Sequence, residues 1–528
     1  MNASRILRGS TALPLARVLL ILGAGLLVFR PALSAGWLWD DNQEVTANPV
    51  LPDPAGLAKI WAGSAGADYF PLKTTVQWFE WRLWGADPAG YHAVSVVLHL
   101  LSALLFWRLL CRLGLEAAWI GGLLFAVHPL VVESVAWAAE LKNTLSLPLL
   151  LLAMTAYADF DARGRCRDYG LSLLWFLLAL LAKSSVVMFP CVILLHAWWR
   201  RGRIGGRDLR ASAPFFALSL VLGLVTVWFQ HHRAQETELV LAGGLLSRLA
   251  CAGMALTFYL GKCLWPVGLS PIYPRWAVDP PAPWQWLPWL AWGAAAAWFW
   301  TRRAGWGRAA LFGLGFFALN LVPVLGFATN TYMRISWVAD HFAYIAILGV
   351  IGLAVAGLDR WRVGWVKRAA IGAVVAVLFV QSRAYTAVFH DEETLWTCTL
   401  RQNPGAWPAH YNLANRLAQR HALAEAEEHY RAALKLVPDF TDAHFNLGND
   451  LFLQGKLQAA ADQYLETLRL DPGYAYGHVG LGNLLMFSGR AREAVPQYAE
   501  AHRLKPADPG IEANLEAARR AAAAGGSP

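Results

Sequence analysis

Apolar runs of the length that crosses a bilayer as a helix, about 17–25 residues, recur through the first 380 residues of the chain and then stop. They predict spans near 13–30, 91–108, 117–135, 144–160, 169–183, 186–199, 213–229, 286–301, 309–327, 341–358 and 369–382. A twelfth apolar run, 247–265, raises a question of parity that the charges answer. After residue 390 the long runs give way to short amphipathic stretches in which apolar and small residues return every 34 positions.

Basic residues set the direction of each crossing. One set of short loops holds Arg5, Arg8 and Arg17, then Arg108 and Arg112, then Arg163, Arg165 and Arg167. The same side continues with Arg200, Arg201, Arg203, Arg207 and Arg210, with Arg302, Arg303 and Arg308, and with Arg360, Arg362, Lys367 and Arg368. Short loops this rich in arginine face the cytoplasm. A full crossing by 247–265 would turn every later basic loop outward, so that run is expected to lie along the outer interface or re-enter. The reading is about 11 spans plus one interfacial helix, with the N-terminus inside and the C-terminus outside. Leu33-Ser34-Ala35 also resembles a leader-cleavage site; cutting there would remove the first span and leave the rest as oriented.

A 34-residue period is that of the tetratricopeptide helix–turn–helix unit. Leu413, Leu447 and Leu481 mark one position, Ala426, Ala460 and Ala494 another, followed by Tyr430, Tyr464 and Tyr498 and by Pro438, Pro472 and Pro506. The small and aromatic residues let paired helices close on one another, and proline cannot continue the second helix. The expected division is 1–385 membrane domain, 386–406 linker with a partial repeat (Trp396, Leu400, Pro404), 407–508 three repeats, and 509–528 a capping helix and tail. The fold class is all-α: a polytopic helical membrane domain followed by an α-solenoid.

Composition sharpens this picture. The chain is 57% apolar and 15% charged, against about 25% charged in soluble proteins. Its net charge of +9 is uneven. Residues 1–390 carry 32 Lys/Arg against 19 Asp/Glu, and residues 391–528 carry 13 against 17. The excess sits in the loops that set topology, which excludes nucleic-acid binding as its cause. Cys111, Cys166, Cys191, Cys251, Cys263 and Cys398 show neither paired nor metal-binding spacing, and no metal site is expected.

The chemistry concentrates in the outward loops. Asp40 and Asp41 stand between Trp39 and Asn42 directly after the first span; adjacent carboxylates there are either solvated or used, for instance as a general base. Lys142, Lys183, Arg275, Arg334 and His341 are outward cations, although lysine at a span end also snorkels. His128 and Glu133 suit either the lining of a cavity or a structural His-Pro turn, and His92 and His99 read as packing groups. Asn412, Asn415, Asn446, Asn449 and Asn483 follow the repeat and suit binding of an extended peptide backbone, or reflect ordinary repeat composition.

These segments together resemble one family. W-D-D-N-Q-E-V-T-A-N-P (39–49), F-P-L-K (70–73), G-Y-H-A-V-S-V-V-L-H (90–99) and L-L-F-A-V-H-P-L-V-V-E-S-V-A-W (123–137) come first. L-L-A-K (180–183), L-S-P-I-Y-P (269–274), A-D-H-F-A-Y (339–344) and D-E-E-T-L-W (391–396) follow in order. The whole is similar to the transmembrane-and-tetratricopeptide-repeat O-mannosyltransferases and their bacterial relatives, which resemble the GT-C group of membrane glycosyltransferases. The resemblance implies a polyprenyl-phosphate hexose as donor, its phosphate and sugar met by Lys142, Lys183, Arg275, Arg334, His341, His128 and Glu133, a protein Ser/Thr hydroxyl as acceptor, inversion at the anomeric centre, and a base in the first outer loop, carried onto Asp40 and Asp41 with Asp40 foremost. It leaves open whether a divalent cation assists. The chain departs from the family where Pro71 and His341 stand in place of Arg and Ser184 in place of Glu.

The expected function is therefore protein O-glycosylation at the outer face of a membrane, a bacterial inner membrane by the Arg-rich, Lys-poor composition. One rival is a non-catalytic scaffold that recruits periplasmic partners through its repeats. The other is a transporter of lipid-linked saccharide, which the lack of internal symmetry in 1–390 disfavours.

Overall fold

The computed structural model describes residues 14–63, 69–229, 232, 243–327, 331–361 and 364–524. Arg5, Arg8 and Arg362, used above for orientation, lie outside them. All regular secondary structure among the described residues is helical, with no strand, and the chain divides into two compact units, Met1–Leu395 and Trp396–Pro528.

Helices of the first unit are α1 (Leu15–Phe29), α2 (Gly56–Trp61), α3 (Pro71–Trp84), α4 (Pro88–Arg112), α5 (Ala118–Ala126), α6 (Val132–Ala136), α7 (Leu141–Arg163) and α8 (Cys166–Ala182). They continue with α9 (Phe189–Arg201), α10 (Gly206–Phe229), α11 (Leu245–Leu264), α12 (Leu287–Thr301), α13 (Gly307–Leu321), α14 (Ile347–Arg360) and α15 (Gly364–Val388). A helix occupies each of the twelve apolar runs. Six stretches among the described residues are long and apolar enough to cross a membrane: Leu15–Ser34, Pro88–Arg112, Ala138–Arg163, Gly206–Phe229, Gly307–Val324 and Gly364–Val388. Runs 186–199 and 341–358 yield helices of 13 and 14 residues, about 20 Å of rise against a hydrocarbon core of about 30 Å. Their remaining length is spent in short turns such as Ser184–Met188 and Asp340–Ala343.

Run 117–135, expected as one span, is instead two helices bent by 57°. Pro129 lacks the N–H that would continue α5. The His128 side chain accepts the next free N–H, from Leu130 at 3.1 Å, and so restarts the backbone as a cap. Other ends follow the usual chemistry: Asp87 caps α4 by accepting from the Ala89 N–H at 3.0 Å, and Gly164 ends α7 at φ +70°, a conformation that costs a side-chain-bearing residue energy. The core is dense in aromatic side chains. Tyr157, Phe176, Phe189 and Phe215 are buried together, with ring centroids of neighbouring pairs 5.1–5.8 Å apart.

Helix α16 (Glu392–Gln402) leads to the paired helices of the second unit. They are α17 (Trp407–Gln419) with α18 (Leu423–Leu436), α19 (Thr441–Leu453) with α20 (Leu457–Leu470), and α21 (Ala475–Phe487) with α22 (Ala491–Leu504), closed by α23 (Pro509–Ala524). Ala426, Ala460 and Ala494 are wholly buried. The Tyr464 ring lies on Gly480, where a Cβ would come within 2.5 Å of it. A second ladder keeps the period. His410, His444 and His478 each reach back with Nε2 to a proline carbonyl, of Pro404, Pro438 and Pro472 at 3.1, 2.9 and 3.3 Å. Their Nδ1 atoms meet His429, Gln463 and Gln497 at 2.8–2.9 Å.

Candidate active site

The first loop after α1 is held in place before it offers any chemistry. The Gly36 N–H donates to the His390 carbonyl at 3.0 Å, and the Trp39 N–H to Glu392 Oε1 at 2.9 Å. Trp39 takes φ +44°, a left-handed conformation that a bulky residue adopts only when its surroundings enforce it. Its ring is stacked: the Trp39 and Trp137 rings lie 5.2 Å apart and 4° from parallel. A π-helical turn, Asn42–Thr46, follows; such turns recur at functional sites.

The two aspartates part company. Asp41 is fully buried, and its carboxylate accepts the Leu38 N–H at 2.9 Å and the Ala139 N–H at 2.6 Å. It clamps the loop to the segment entering α7, with both oxygens committed. Burial pushes its carboxyl up to about 8, although these two N–H bonds pull the other way. Asp40 is half-buried. Burial raises its carboxyl to about 6, Lys142 pulls it back, and Glu44 and Glu140 push it up again.

Around Asp40 the structure gathers alternating charges. Lys142 Nζ lies 3.0 Å from Glu140 Oε1. Asn143 donates to the other oxygen of Glu140, and the buried Lys183 donates in turn to the Asn143 carbonyl. Glu44 pairs with the buried Lys73. Burial works against the Glu44 anion, but Lys73 and Lys142 outweigh it and hold the carboxyl below its usual range. His341 bears on both Asp40 and Glu140. Its backbone N–H donates to Glu133 Oε2 at 3.0 Å, and its Nδ1 stands 3.1 Å from Glu133 Oε1, off the line of a hydrogen bond. Asp40, Lys142, Lys183, His341 and Glu133 thus share one neighbourhood. Arg334 ends the short turn Thr331–Arg334 and is not among the charges that bear most on Asp40.

For two sets of residues the hydrogen bonds follow the structural one of the two readings their positions allowed. His128 accepts the Leu130 N–H at Nδ1 and donates from Nε2 to the Cys263 carbonyl at 3.1 Å, so neither nitrogen is left for a sugar. In the repeats, Asn415, Asn449 and Asn483 accept the hydroxyls of Tyr430, Tyr464 and Tyr498 at 2.7, 2.8 and 2.6 Å. Their carbonyls therefore pin one helix of each pair to the other, and only the amide N–H groups remain for a peptide. The Asn446 amide is itself spent on Tyr411 and on Asn415, both at 3.0 Å. Asn412 is half-buried on α17, and Asn483 is exposed.

Sequence reasoning passed over Glu44, Lys73, Glu140, Asn143 and Asp340. Glu44 and Lys73 lay inside motifs already singled out. Asp340 begins D-H-F and accepts hydroxyls from Tyr273 at 2.7 Å and Tyr385 at 3.1 Å. Glu140 and Asn143 flank Lys142, a spacing whose meaning appears only when Lys183 arrives from α8. Further along the loop, Glu80 on α3 is buried with both carboxylate oxygens unpartnered, and burial pushes it up to about 8 against the pull of Lys73.

With this geometry in view, the similarities to known proteins become informative. The tetratricopeptide-repeat family model matches residues 441–474. A protein O-mannosyl-transferase of Caenorhabditis elegans is 22% identical over 456 residues, 80% of this chain and 63% of its own length. The human protein O-mannosyl-transferase TMTC1 is 23% identical over 524 residues, 82% of this chain and 56% of its own. The Xenopus laevis protein O-mannosyl-transferase tmtc2 is 30% identical over 167 residues, 29% of this chain and 20% of its own. The chain thus spans less than two thirds of the length of these relatives. Among solved structures, the crystal structure of MamA protein aligns with 25% of this chain and 72% of its own at TM-score 0.24 and 19% identity.

Proposed function

Taking the chain as a relative of the transmembrane-and-tetratricopeptide-repeat protein O-mannosyl-transferases, we propose that it transfers a hexose, mannose by that relationship, from a polyprenyl phosphate to a Ser or Thr hydroxyl of a protein. The transfer occurs at the outer face of a bacterial inner membrane, with the arginine-rich helix ends inside and the repeats outside. The observation that carries the reading is Asp40: half-buried, raised to about 6 with Lys142 the main charge opposing that, and next to Trp39, whose backbone is left-handed.

The step is a single displacement. The acceptor oxygen attacks the anomeric carbon as its proton passes to Asp40. The bond from that carbon to the phosphate oxygen breaks on the opposite face, inverting the centre. A carboxyl near 6 is a better match to a base working at neutral pH than an ordinary aspartate. The leaving polyprenyl phosphate gains charge where Lys142 and Lys183 stand, as transition-state stabilisation requires. Glu140 keeps those two ammonium groups solvated by protein until the donor arrives. Asp41 acts through the loop as a positioning residue, and Glu133 orients His341 in the same neighbourhood. The repeats present an extended acceptor segment, using the asparagine amides left free by the tyrosines.

The test is transfer of radiolabelled mannose from a polyprenyl phosphate to a periplasmic extract by purified protein. Asp40→Asn is expected to lower transfer about 10²–10⁴-fold with an unchanged melting temperature, and Asp40→Glu to restore part of it. Transfer that survives Asp40→Asn refutes the assignment of the base. No transfer from any donor, with Asp40→Asn still supporting growth, would leave a membrane scaffold.

A further inference from the structure

A cavity of about 850 Å³ opens between α4, α7, α9, α13 and α14, at the helix ends opposite the candidate active site. Lys142 lies in the first turn of α7, and Tyr157, which lines this cavity, lies fifteen residues further along, about 22 Å of helix. The volume falls in the range of sites that enclose a small amphiphile. Much of the wall is apolar and aromatic, with Trp199 stacked on Phe312 at 4.8 Å between centroids. The rim is basic: Arg200, Arg308 and Arg360 line it, and none of the three forms an ion pair among the described residues. Arg112, also on the rim, is committed to Asp159 at 2.8 Å. Two acids also line the cavity: Asp359 is occupied by the backbone N–H groups of Glu116 and Ala117 at 2.9 and 2.8 Å, and Glu116 is exposed.

Arginines at helix ends also serve as topological anchors, so the second observation matters more. His196 lines the same cavity and is 8% exposed, yet neither ring nitrogen has a hydrogen-bond partner. A buried, unsatisfied imidazole costs about 1–3 kcal/mol, and such groups point to a missing partner. It sits one turn before Arg200 on the same face of α9, and the charges of Asp161, Arg200, Arg201 and Asp208 bear on it. We propose that this cavity binds one phosphate-headed lipid, its phosphate held by Arg200, Arg308 and Arg360, a phosphate oxygen or headgroup atom bonded to His196, and its chains against the aromatic wall. An anionic amphiphile satisfies the imidazole, the three arginines and the apolar wall together, which inorganic phosphate does not.

Delipidated protein in detergent is titrated separately with phosphatidylglycerol, phosphatidylcholine and inorganic phosphate. Binding is read by native mass spectrometry and by quenching with brominated-chain phosphatidylglycerol, taken as the difference from Trp199→Phe. One phosphatidylglycerol per chain is expected to be retained where phosphatidylcholine and inorganic phosphate are not. Arg200→Gln/Arg308→Gln/Arg360→Gln should weaken that retention at least tenfold. His196→Phe should weaken it too, while raising the melting temperature of lipid-free protein. Equal retention of the two lipids, tight binding of phosphate alone, or retention untouched by the triple variant overturns the proposal. If the triple variant does not fold, Ala309→Trp, which fills the cavity without altering a charge, must lose the lipid.

Discussion

On the proposed mechanism, the proton passed to Asp40 makes transfer depend on pH. Its carboxyl stands at about 6 where an unperturbed aspartate has 3.8. For a base, the ionised form is the active one, so kcat/KM rises as pH rises through that value. With a midpoint near 6, about a tenth of the sites are ionised at pH 5 and about nine tenths at pH 7. Transfer should therefore fall roughly tenfold between pH 7 and pH 5, whereas an ordinary aspartate would lose only about 6%. The sugar phosphodiester has no proton to lose in this window, so the limb belongs to the protein. Lys142 is the main charge that holds Asp40 down; Lys142→Gln should move the limb to higher pH, besides lowering the rate at its plateau. The assay is the initial rate of label transfer at subsaturating donor from pH 4.5 to 8, with melting temperatures recorded at each pH to exclude unfolding. A flat profile between pH 5 and 7, or superimposable limbs for wild type and Lys142→Gln, would refute the argument.

Three further outcomes are expected. Glu80 is held protonated by burial, and because its folded value of about 8 exceeds the ordinary 4.5, the contribution it makes at low pH is lost as pH rises through that window; Glu80→Gln should raise the melting temperature at pH 8 and change it little at pH 4. Asn449→Asp keeps the acceptor for the Tyr464 hydroxyl, bonded at 2.8 Å, and exchanges the amide donors for a charged acceptor, so the repeats should stay folded by circular dichroism while transfer to long acceptors falls and transfer to a short peptide does not. Gly480→Ala would force a Cβ to within 2.5 Å of the Tyr464 ring and should destabilise the repeats by about 1–3 kcal/mol, measured by urea unfolding.

Some of this protein was legible in its residues alone, because the properties involved are periodic or local. The apolar runs marked where helices would form, since lipid admits no other open-ended backbone. The 34-residue period marked the paired helices, since each unit must bury the same face against its neighbour. The adjacent aspartates after the first span marked the loop. Other features depended on partners hundreds of positions away. Asp40 and Asp41 read alike in sequence; only the fold brought the Ala139 N–H to Asp41 and left Asp40 beside Lys142. The triad of Lys183, Asn143 and Glu140 exists because α7 and α8 pack together, and no spacing along one helix announces it. His128 and the repeat asparagines looked equally available until Cys263 and the tyrosines claimed them. A polar side chain declares its type in the sequence, but which bond it makes is decided by the backbone groups that burial places within reach.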